Sequence, residues 1–118
     1  MGDKPRPFDL EERTARFGEA IVFFAKKVPV TPVTVSLISQ VVRAGTSVGA
    51  NYCEANDSVS KKEFRKNIGT CRKESKESKH WLRMLAAAVP ELKPQARTLW
   101  QEAKELHLIF CKIFNSGT

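Results

Sequence analysis

Four stretches of this sequence place apolar residues at alternating spacings of three and four. This spacing puts the apolar side chains on one face of an α-helix. The four stripes are Leu10, Phe17, Ile21, Phe24 and Val28; Ile38, Val41, Gly45, Val48 and Tyr52; Phe64, Ile68, Cys71, Ser75, Ser78, Leu82 and Leu85; and Ala96, Leu99, Ala103, Leu106, Phe110 and Ile113. The connections are short and no segment alternates as a strand does, so we predict an all-α, up-down-up-down four-helix bundle.

Polar residues and prolines indicate where these helices begin. The start signals are Asp9 with Glu12, Thr31 with Pro32, and Ser60 with Glu63. Two of these pairs have the spacing of a capping box, and a proline at the first helical position needs no amide partner. We therefore expect the second helix to begin at Pro32 and end near Ala55, and the third to run from Ser60 to Ala88.

The length of 118 residues and the 42% hydrophobic content suit one globular domain over residues 1–118. The sequence has no linker long enough to divide it, and Met1 to Pro7 is the one candidate for a flexible tail. The apolar runs are much shorter than the roughly 20 residues that span a bilayer. The N-terminus also lacks the apolar centre of a signal peptide, so we expect a cytoplasmic protein without a membrane partner.

The net charge of +7 is concentrated on the third helix, where residues 58–90 contain nine basic and three acidic residues. A basic ridge on a long helix can follow the phosphates of RNA or DNA. We expect seven side chains to make phosphate contacts: Lys62, Arg65, Lys66, Arg72, Lys73, Lys76 and Arg83. No motif that reads bases is present, so binding would not depend on nucleotide sequence.

Two alternatives to nucleic-acid binding stay open. The basic face could simply keep the helix solvated, with local pairs such as Glu63 with Asn67 and Glu77 with Lys73. The protein could also be an interaction scaffold that docks a partner such as a polymerase and does not touch nucleic acid.

The second helix carries a line of polar residues beside its apolar stripe. Together with an acid of the third helix, this line consists of Gln40, Arg43, Ser47, Asn51, Glu54 and Glu74. We interpret it as a structural or interface seam in which Arg43 meets Glu74 or Glu77, with a binding groove as the alternative. Gly45 and Gly49 indicate a close approach of another helix backbone.

The sequence contains no group of residues typical of an enzyme. It lacks a glycine-rich phosphate loop, a framed pair of carboxylates and a cluster of metal ligands. Cys71 and His80 fall on opposite sides of one helix. We expect no enzymatic activity, no cofactor and no metal, and we interpret the cysteines, which are Cys53, Cys71 and Cys111, as buried free thiols.

Large apolar and aromatic residues remain after the four stripes are assigned. They are Phe23, Trp81, Trp100, Ile109 and Phe114, and His107 lies in line with two of them. This surplus exceeds what one narrow core uses, so we predict that part of it closes subunit contacts in a homo-oligomer.

The second and third helices carry residues that resemble a known family. These residues are Gln40, Arg43, Ala44, Ser47, Asn51 and Glu54, followed by Ser60, Glu63, Phe64, Glu74, Trp81 and Leu82. They resemble the bacterial four-helix bundle family that includes proteins encoded by intervening sequences of large-subunit ribosomal RNA genes. The resemblance implies a homopentamer without established enzymatic activity. The accessory protein of diversity-generating retroelements is similar in fold and binds nucleic acid and a reverse transcriptase, which implies a reverse transcriptase as a partner.

Overall fold

A computed structural model describes residues 9–116, in which four α-helices occupy most of the chain. The helices are α1 (Leu10–Lys27), α2 (Val35–Asn56), α3 (Lys61–Ala88) and α4 (Lys93–Ser116). A short 3-10 helix, Pro90–Leu92, connects α3 to α4. Residues 9–116 contain no β-strand. The predicted tail, Met1 to Pro7, lies outside the described residues.

Each helix packs against the next one along the chain, and α1 also packs against α4. The molecule measures 44 × 35 × 19 Å along its principal axes. The predicted stripes supply the core, whose largest fully buried side chains include Phe110, Ile21, Ile68, Leu82, Leu85 and Leu106. The prediction of an all-α four-helix bundle is therefore confirmed.

The N-cap residues of the two predicted capping boxes, Asp9 and Ser60, cap α1 and α3. The Glu12 carboxylate, which would complete the first box, binds Arg16 instead. The Asp9 carboxylate accepts a hydrogen bond from the amide of Glu12 at 3.3 Å, and the Ser60 hydroxyl accepts one from the amide of Glu63 at 3.0 Å. Both bonds satisfy backbone donors that have no partner inside the helix. The predicted start of α3 is thus correct to within one residue.

The predicted start of α2 at Pro32 is wrong, because α2 begins at Val35. The Thr31 hydroxyl accepts hydrogen bonds from the amides of Val33 and Thr34, as a cap would. The Thr34 hydroxyl in turn accepts from the Thr31 amide and donates to the Pro29 carbonyl. These reciprocal bonds hold residues 32–34 as a turn, so the helix starts three residues later than the proline suggests.

Glycines allow α1 and α2 to approach each other closely. A Cβ on Gly45 would lie 2.7 Å from Cγ1 of Ile21, and one on Gly49 would lie 3.4 Å from the backbone of Thr14. The first distance is too short for any side chain, so Gly45 is required where the two helices cross.

The three cysteines differ in burial, which corrects the expectation that all are buried. Cys71 is buried, Cys111 is half-buried and Cys53 is exposed, and all three are free thiols. Burial raises the pKa of Cys71 to about 12. Only Cys71 therefore behaves as the predicted core thiol.

Candidate functional site

The acidic residues at the middle of α3 face α2, where Arg43 binds them. Nη1 of Arg43 lies 3.0 Å from an oxygen of Glu74, and Nη2 lies 2.6 Å from an oxygen of Glu77. The Glu74 side chain is only 11% exposed whereas that of Arg43 is 45% exposed, so a solvent-facing guanidinium covers a buried carboxylate between the two helices. The two carboxylates raise the pKa of Arg43, mainly through these hydrogen bonds.

The acidic residues at the middle of α4 are bound in the same way by α1. Nε of Arg13 lies 2.7 Å from an oxygen of Glu102, and its Nη2 lies 2.8 Å from an oxygen of Glu105. The hydrogen bond to Glu102 is the largest of the effects that raise the pKa of Arg13. The acids at the middle of α3 therefore bind α2 and those at the middle of α4 bind α1, so neither group lies in the groove between α3 and α4.

The basic residues of the two helices line the groove between α3 and α4. We call this surface the basic groove, and it comprises Lys61, Arg65, Lys66, Arg72, Lys73, Lys76, Lys79 and Arg83 on α3 with Lys93, Arg97, Trp100, Lys104, His107, Cys111 and Phe114 on α4. Three depressions follow it, and none of the three is lined by an acidic residue. The central one has a volume of about 520 Å³ and contains Lys66, Lys73 and Lys76.

Neither of the two local pairs expected on the exposed side of α3 forms. Glu77 binds Arg43 rather than Lys73, and the Asn67 amide donates to the Ser58 hydroxyl rather than to Glu63. Those two expectations are wrong because the neighbouring elements offer better-placed partners than the exposed side of α3 does. Among the described residues, no ion pair involves Lys66, Lys73 or Lys76.

Phe114 holds two of the arginines in place at one end of the basic groove. The guanidinium carbons of Arg65 and Arg72 lie 3.9 Å and 4.1 Å from the centre of its ring. Nε of Arg65 also donates a hydrogen bond to the Phe114 carbonyl at 3.2 Å. A Cβ on Gly69 would lie 3.0 Å from the Phe114 ring, so this glycine makes room for it. Guanidinium groups over an aromatic ring keep their charge and lose mobility.

The structure places six of the seven predicted phosphate-binding residues along the basic groove. The seventh, Lys62, is exposed but lines none of the three depressions. The prediction omitted Lys61, Lys79 and every residue contributed by α4. The omitted α4 residues have a detectable signal, because Lys93, Arg97, Trp100, Lys104, His107, Cys111 and Phe114 follow one another at steps of four and three.

His107 and Cys111 meet on the floor of the central depression. Nε2 of His107 lies 3.5 Å from Sγ of Cys111. Burial lowers the pKa of His107, and the charges of Lys79, Lys76 and Arg72 lower it further. The sequence analysis considered only Cys71 with His80 and missed this pair, although residues four apart on a helix are neighbours. Within residues 9–116, no cluster of three His, Cys, Asp or Glu side chains could hold a metal ion.

The predicted polar seam on α2 divides into two parts. At one end, Oε1 of Gln40 accepts a hydrogen bond from Nε of Arg43 at 3.0 Å, and Arg43 binds Glu74. At the other end, the Asn51 amide donates to the Ser47 carbonyl inside α2, and Glu54 is exposed. The first part links α2 to α3, whereas the second stays within α2.

The apolar and aromatic residues predicted to close subunit contacts differ in burial. Trp81, Trp100, Ile109 and Phe114 are half-buried and pack against the core. Nε1 of Trp81 is buried and has no hydrogen-bond partner within the described part of the chain. Phe23 is 62% exposed, and four further apolar side chains between residues 22 and 35 are also exposed: Val22, Val30, Val33 and Val35.

The fold and this surface define the class of the protein: an all-α four-helix bundle with a basic groove on one side. None of the described helices is both long and apolar enough to cross a membrane. The model of the 23S rRNA-intervening sequence protein family matches residues 8–110, and the chain belongs to this family.

A solved structure has the same fold. It is a protein of unknown function from the S23 ribosomal protein family of Bacteroides thetaiotaomicron VPI-5482. The TM-score is 0.76, the sequences are 23% identical, and the match covers 89% of this chain and 97% of that chain. No protein with curated annotation matched the sequence.

Proposed function

We propose that this protein is a non-enzymatic, homo-oligomeric bundle that binds the phosphate backbone of RNA or DNA along the basic groove. The observation that supports this function is the separation of charge on α3 and α4. Glu74 and Glu77 are bound by Arg43, and Glu102 and Glu105 are bound by Arg13. The groove between the two helices is left with bases alone, which is the arrangement that attracts a polyanion.

The length of the basic groove suits a nucleic-acid strand. Lys66 and Arg83 lie 17 residues apart on α3, which corresponds to about 26 Å at 1.5 Å per residue. A stacked strand presents a phosphate about every 3.4 Å, so about seven phosphates fit this length. Lysine and arginine contacts to phosphate carry no sequence information, so we expect RNA and DNA of any sequence to bind.

The exposed apolar residues between positions 22 and 35 support the homo-oligomeric part of the proposal. Phe23 is 62% exposed, Val33 is 67% exposed and Val30 is 74% exposed. Several large apolar side chains left exposed within one short stretch are what a contact surface would need. A pentamer is the assembly that the resemblance implies, and a measured mass of the native protein equal to one chain would contradict it.

The same exposed apolar residues favour a second candidate function. A scaffold that docks a protein partner would also expose such a surface, and the similarity to the retroelement accessory protein makes a reverse transcriptase the partner to test. In this case the bases only solvate the particle, and nucleic acid does not bind. Both functions place the protein in the cytoplasm.

Titration of a labelled RNA at two salt concentrations distinguishes the two functions. Phosphate contacts from the six predicted residues along the groove would give a slope of about −4.2 for log K against log salt, because each contact to a single strand contributes about −0.7. Affinity should therefore fall about 300-fold between about 50 mM and 200 mM salt. A scaffold without nucleic-acid contact would bind RNA in neither buffer.

Charge reversal in the basic groove tests the location of binding. Lys66→Glu, Lys73→Glu and Lys76→Glu together should abolish RNA binding and leave helicity and assembly intact. A matched pair of double variants controls for total charge: Lys73→Glu with Lys76→Glu, against Lys26→Glu with Lys27→Glu on α1. Each reversal removes two charges, so both pairs lower the net charge from +7 to +3. Equal losses in the two pairs would show that the groove is not the site.

A further inference from the structure

The end of the basic groove near the α3–α4 connection contains a second kind of surface. Here a cavity of about 600 Å³ lies between the last turns of α3 and the first turns of α4. Its lining includes Ala86 and Ala87 from α3 and Trp100 from α4. The small alanine side chains leave the space between the helices open. The indole of Trp100 forms an aromatic wall of this space.

Basic side chains surround this apolar cavity. Arg83, Lys93 and Arg97 line it, all three are exposed, and no acidic residue is part of the lining. Two further ammonium groups, those of Lys79 and Lys104, lie 5.4 Å and 5.7 Å from the centre of the Trp100 ring. The site therefore combines an aromatic surface with positive charge on each side of it.

Few ligands match both properties of this cavity. A volume of about 600 Å³ lies within the usual range of small-molecule sites. A planar, uncharged ring with negative groups attached on both sides would stack on the indole and bind the arginines. A nucleotide within a single strand has this form, because its base is flat and its two neighbouring phosphates are anionic. A base inside a duplex is stacked on its neighbours and could not enter.

We propose that this cavity receives one unpaired base of a single-stranded nucleic acid, which stacks on Trp100 while the flanking phosphates bind Arg83 and Arg97. This inference rests on the proposed function, since the rest of the strand follows the basic groove. It adds a preference for single strands, which phosphate contacts alone do not produce. The long side chains of Lys79 and Lys104 can move from the indole to a phosphate when the base arrives.

Fluorescence provides a direct test. The chain has two tryptophans, so Trp81→Phe leaves Trp100 as the one indole reporter. A single-stranded RNA about ten nucleotides long, enough to cover the groove, should quench Trp100 emission on binding. A duplex of the same length should bind with less quenching. Equal quenching by the two would overturn the inference.

Variants of the cavity test the same point through affinity. Trp100→Leu should weaken single-strand binding about tenfold or more and leave duplex binding within about twofold. Trp100→Phe keeps an aromatic ring and should restore most of the affinity. Ala87→Leu places a larger side chain at the mouth of the cavity, at an exposed position, and should weaken single-strand binding without disturbing the core.

The outcomes separate this inference from the proposed function. If the wild-type protein binds neither form of RNA, the proposed function fails. The wild-type protein could instead bind RNA with the expected salt dependence while Trp100→Leu and Ala87→Leu bind single strands equally well. In that case the base pocket is wrong and the proposed function stands. Equal quenching of Trp100 by an acidic peptide of similar length would show a general anion site and would also overturn the base pocket.

Discussion

The guanidinium of Arg43 on α2 lies 3.0 Å from the carboxylate of Glu74 on α3, and Glu74 is the most deeply buried acid among the described residues. This ion pair joins the two helices, and the guanidinium neutralises the negative charge of Glu74 at the middle of α3. It is one reason why the opposite side of α3 is strongly basic. The contact thus affects both the stability of the bundle and the charge of the groove.

Removal of Arg43 should destabilise the protein more than removal of an arginine in an exposed pair. Arg43→Ala leaves the Glu74 carboxylate without its partner, which we expect to cost about 1 to 2 kcal/mol, or roughly 4 to 8 °C in Tm. Arg16→Ala breaks an exposed pair with Glu12 and should cost less than about 0.5 kcal/mol. Thermal unfolding by circular dichroism measures both, and equal losses would contradict the assigned role of Arg43.

A methyl group at two glycines should have opposite effects. Gly45→Ala puts a Cβ 2.7 Å from the buried Ile21 side chain and should destabilise by about 1 to 3 kcal/mol. The nearest atom to a Cβ on Gly18 is 3.6 Å away, an ordinary contact, so Gly18→Ala should stabilise by about 0.5 to 1 kcal/mol through helix propensity. Urea denaturation measures the difference. A stable Gly45→Ala protein would mean that α1 and α2 cross less closely.

Much of the fold could be predicted from the sequence, because burial of one face imposes helical spacing on a chain. The α3 stripe is buried from Ile68 to Leu85 as its spacing indicates, and Phe64 at its start is half-buried. The start of α2 could not be predicted in this way. Thr31 has the side chain of an N-cap, and its hydroxyl does accept a hydrogen bond from the Thr34 amide. The Thr34 hydroxyl accepts one from the Thr31 amide in return, and the two bonds together hold a turn. Local residue type does not distinguish these two uses of a threonine.

The candidate site was harder to predict, because a groove belongs to two helices at once. The excess of bases on α3 is visible in the sequence, but the helix that each base faces depends on packing. Glu77 has Lys73 within reach on its own helix and binds Arg43 instead. The cavity beside Trp100 depends on small residues of different helices lying opposite each other, as Ala86 and Ala96 do, and no spacing rule within one helix indicates that.

RNA binding should strengthen as pH falls, through His107. Burial and the charges of Lys79, Lys76 and Arg72 hold the pKa of His107 below its ordinary value of 6.5. Phosphates bound to these bases would offset their charge and raise that pKa, so binding takes up a proton. Affinity measured between about pH 7.5 and 5.5 should increase, by at most about tenfold per pH unit. His107→Gln should reduce this pH dependence. His80 lines none of the three groove depressions, so His80→Gln should leave the pH dependence unchanged.

The same lowered pKa makes a prediction for stability. Below pH 6.5 the unfolded chain protonates His107 more readily than the folded protein does. Folding stability from this residue is therefore fully present above 6.5 and is lost as pH falls towards the lower folded pKa. Comparison of wild type and His107→Gln in urea at several pH values measures this effect. Parallel curves for the two proteins would contradict it.

The three thiols should react with a thiol reagent at three different rates. Cys53 is exposed and should react first, and Cys111 is half-buried and should follow. Cys71 is buried, its pKa is raised to about 12, and it should react only on unfolding. Because Cys111 lines the basic groove, bound RNA should slow its reaction and leave Cys53 unaffected. Mass spectrometry of the labelled peptides assigns the order, and protection of Cys53 alone would place RNA elsewhere.

The positions of Arg13 and Arg43 would also affect how the molecule approaches a nucleic acid. With Glu74 and Glu77 neutralised at the α2 contact and Glu102 neutralised at the α1 contact, much of the unpaired positive charge lies to one side of the molecule, between α3 and α4. The field of a polyanion would exert a torque on this charge asymmetry and turn the molecule before the surfaces touch. A protein of identical composition with its charges shuffled would have the same isoelectric point but would collide in random orientations.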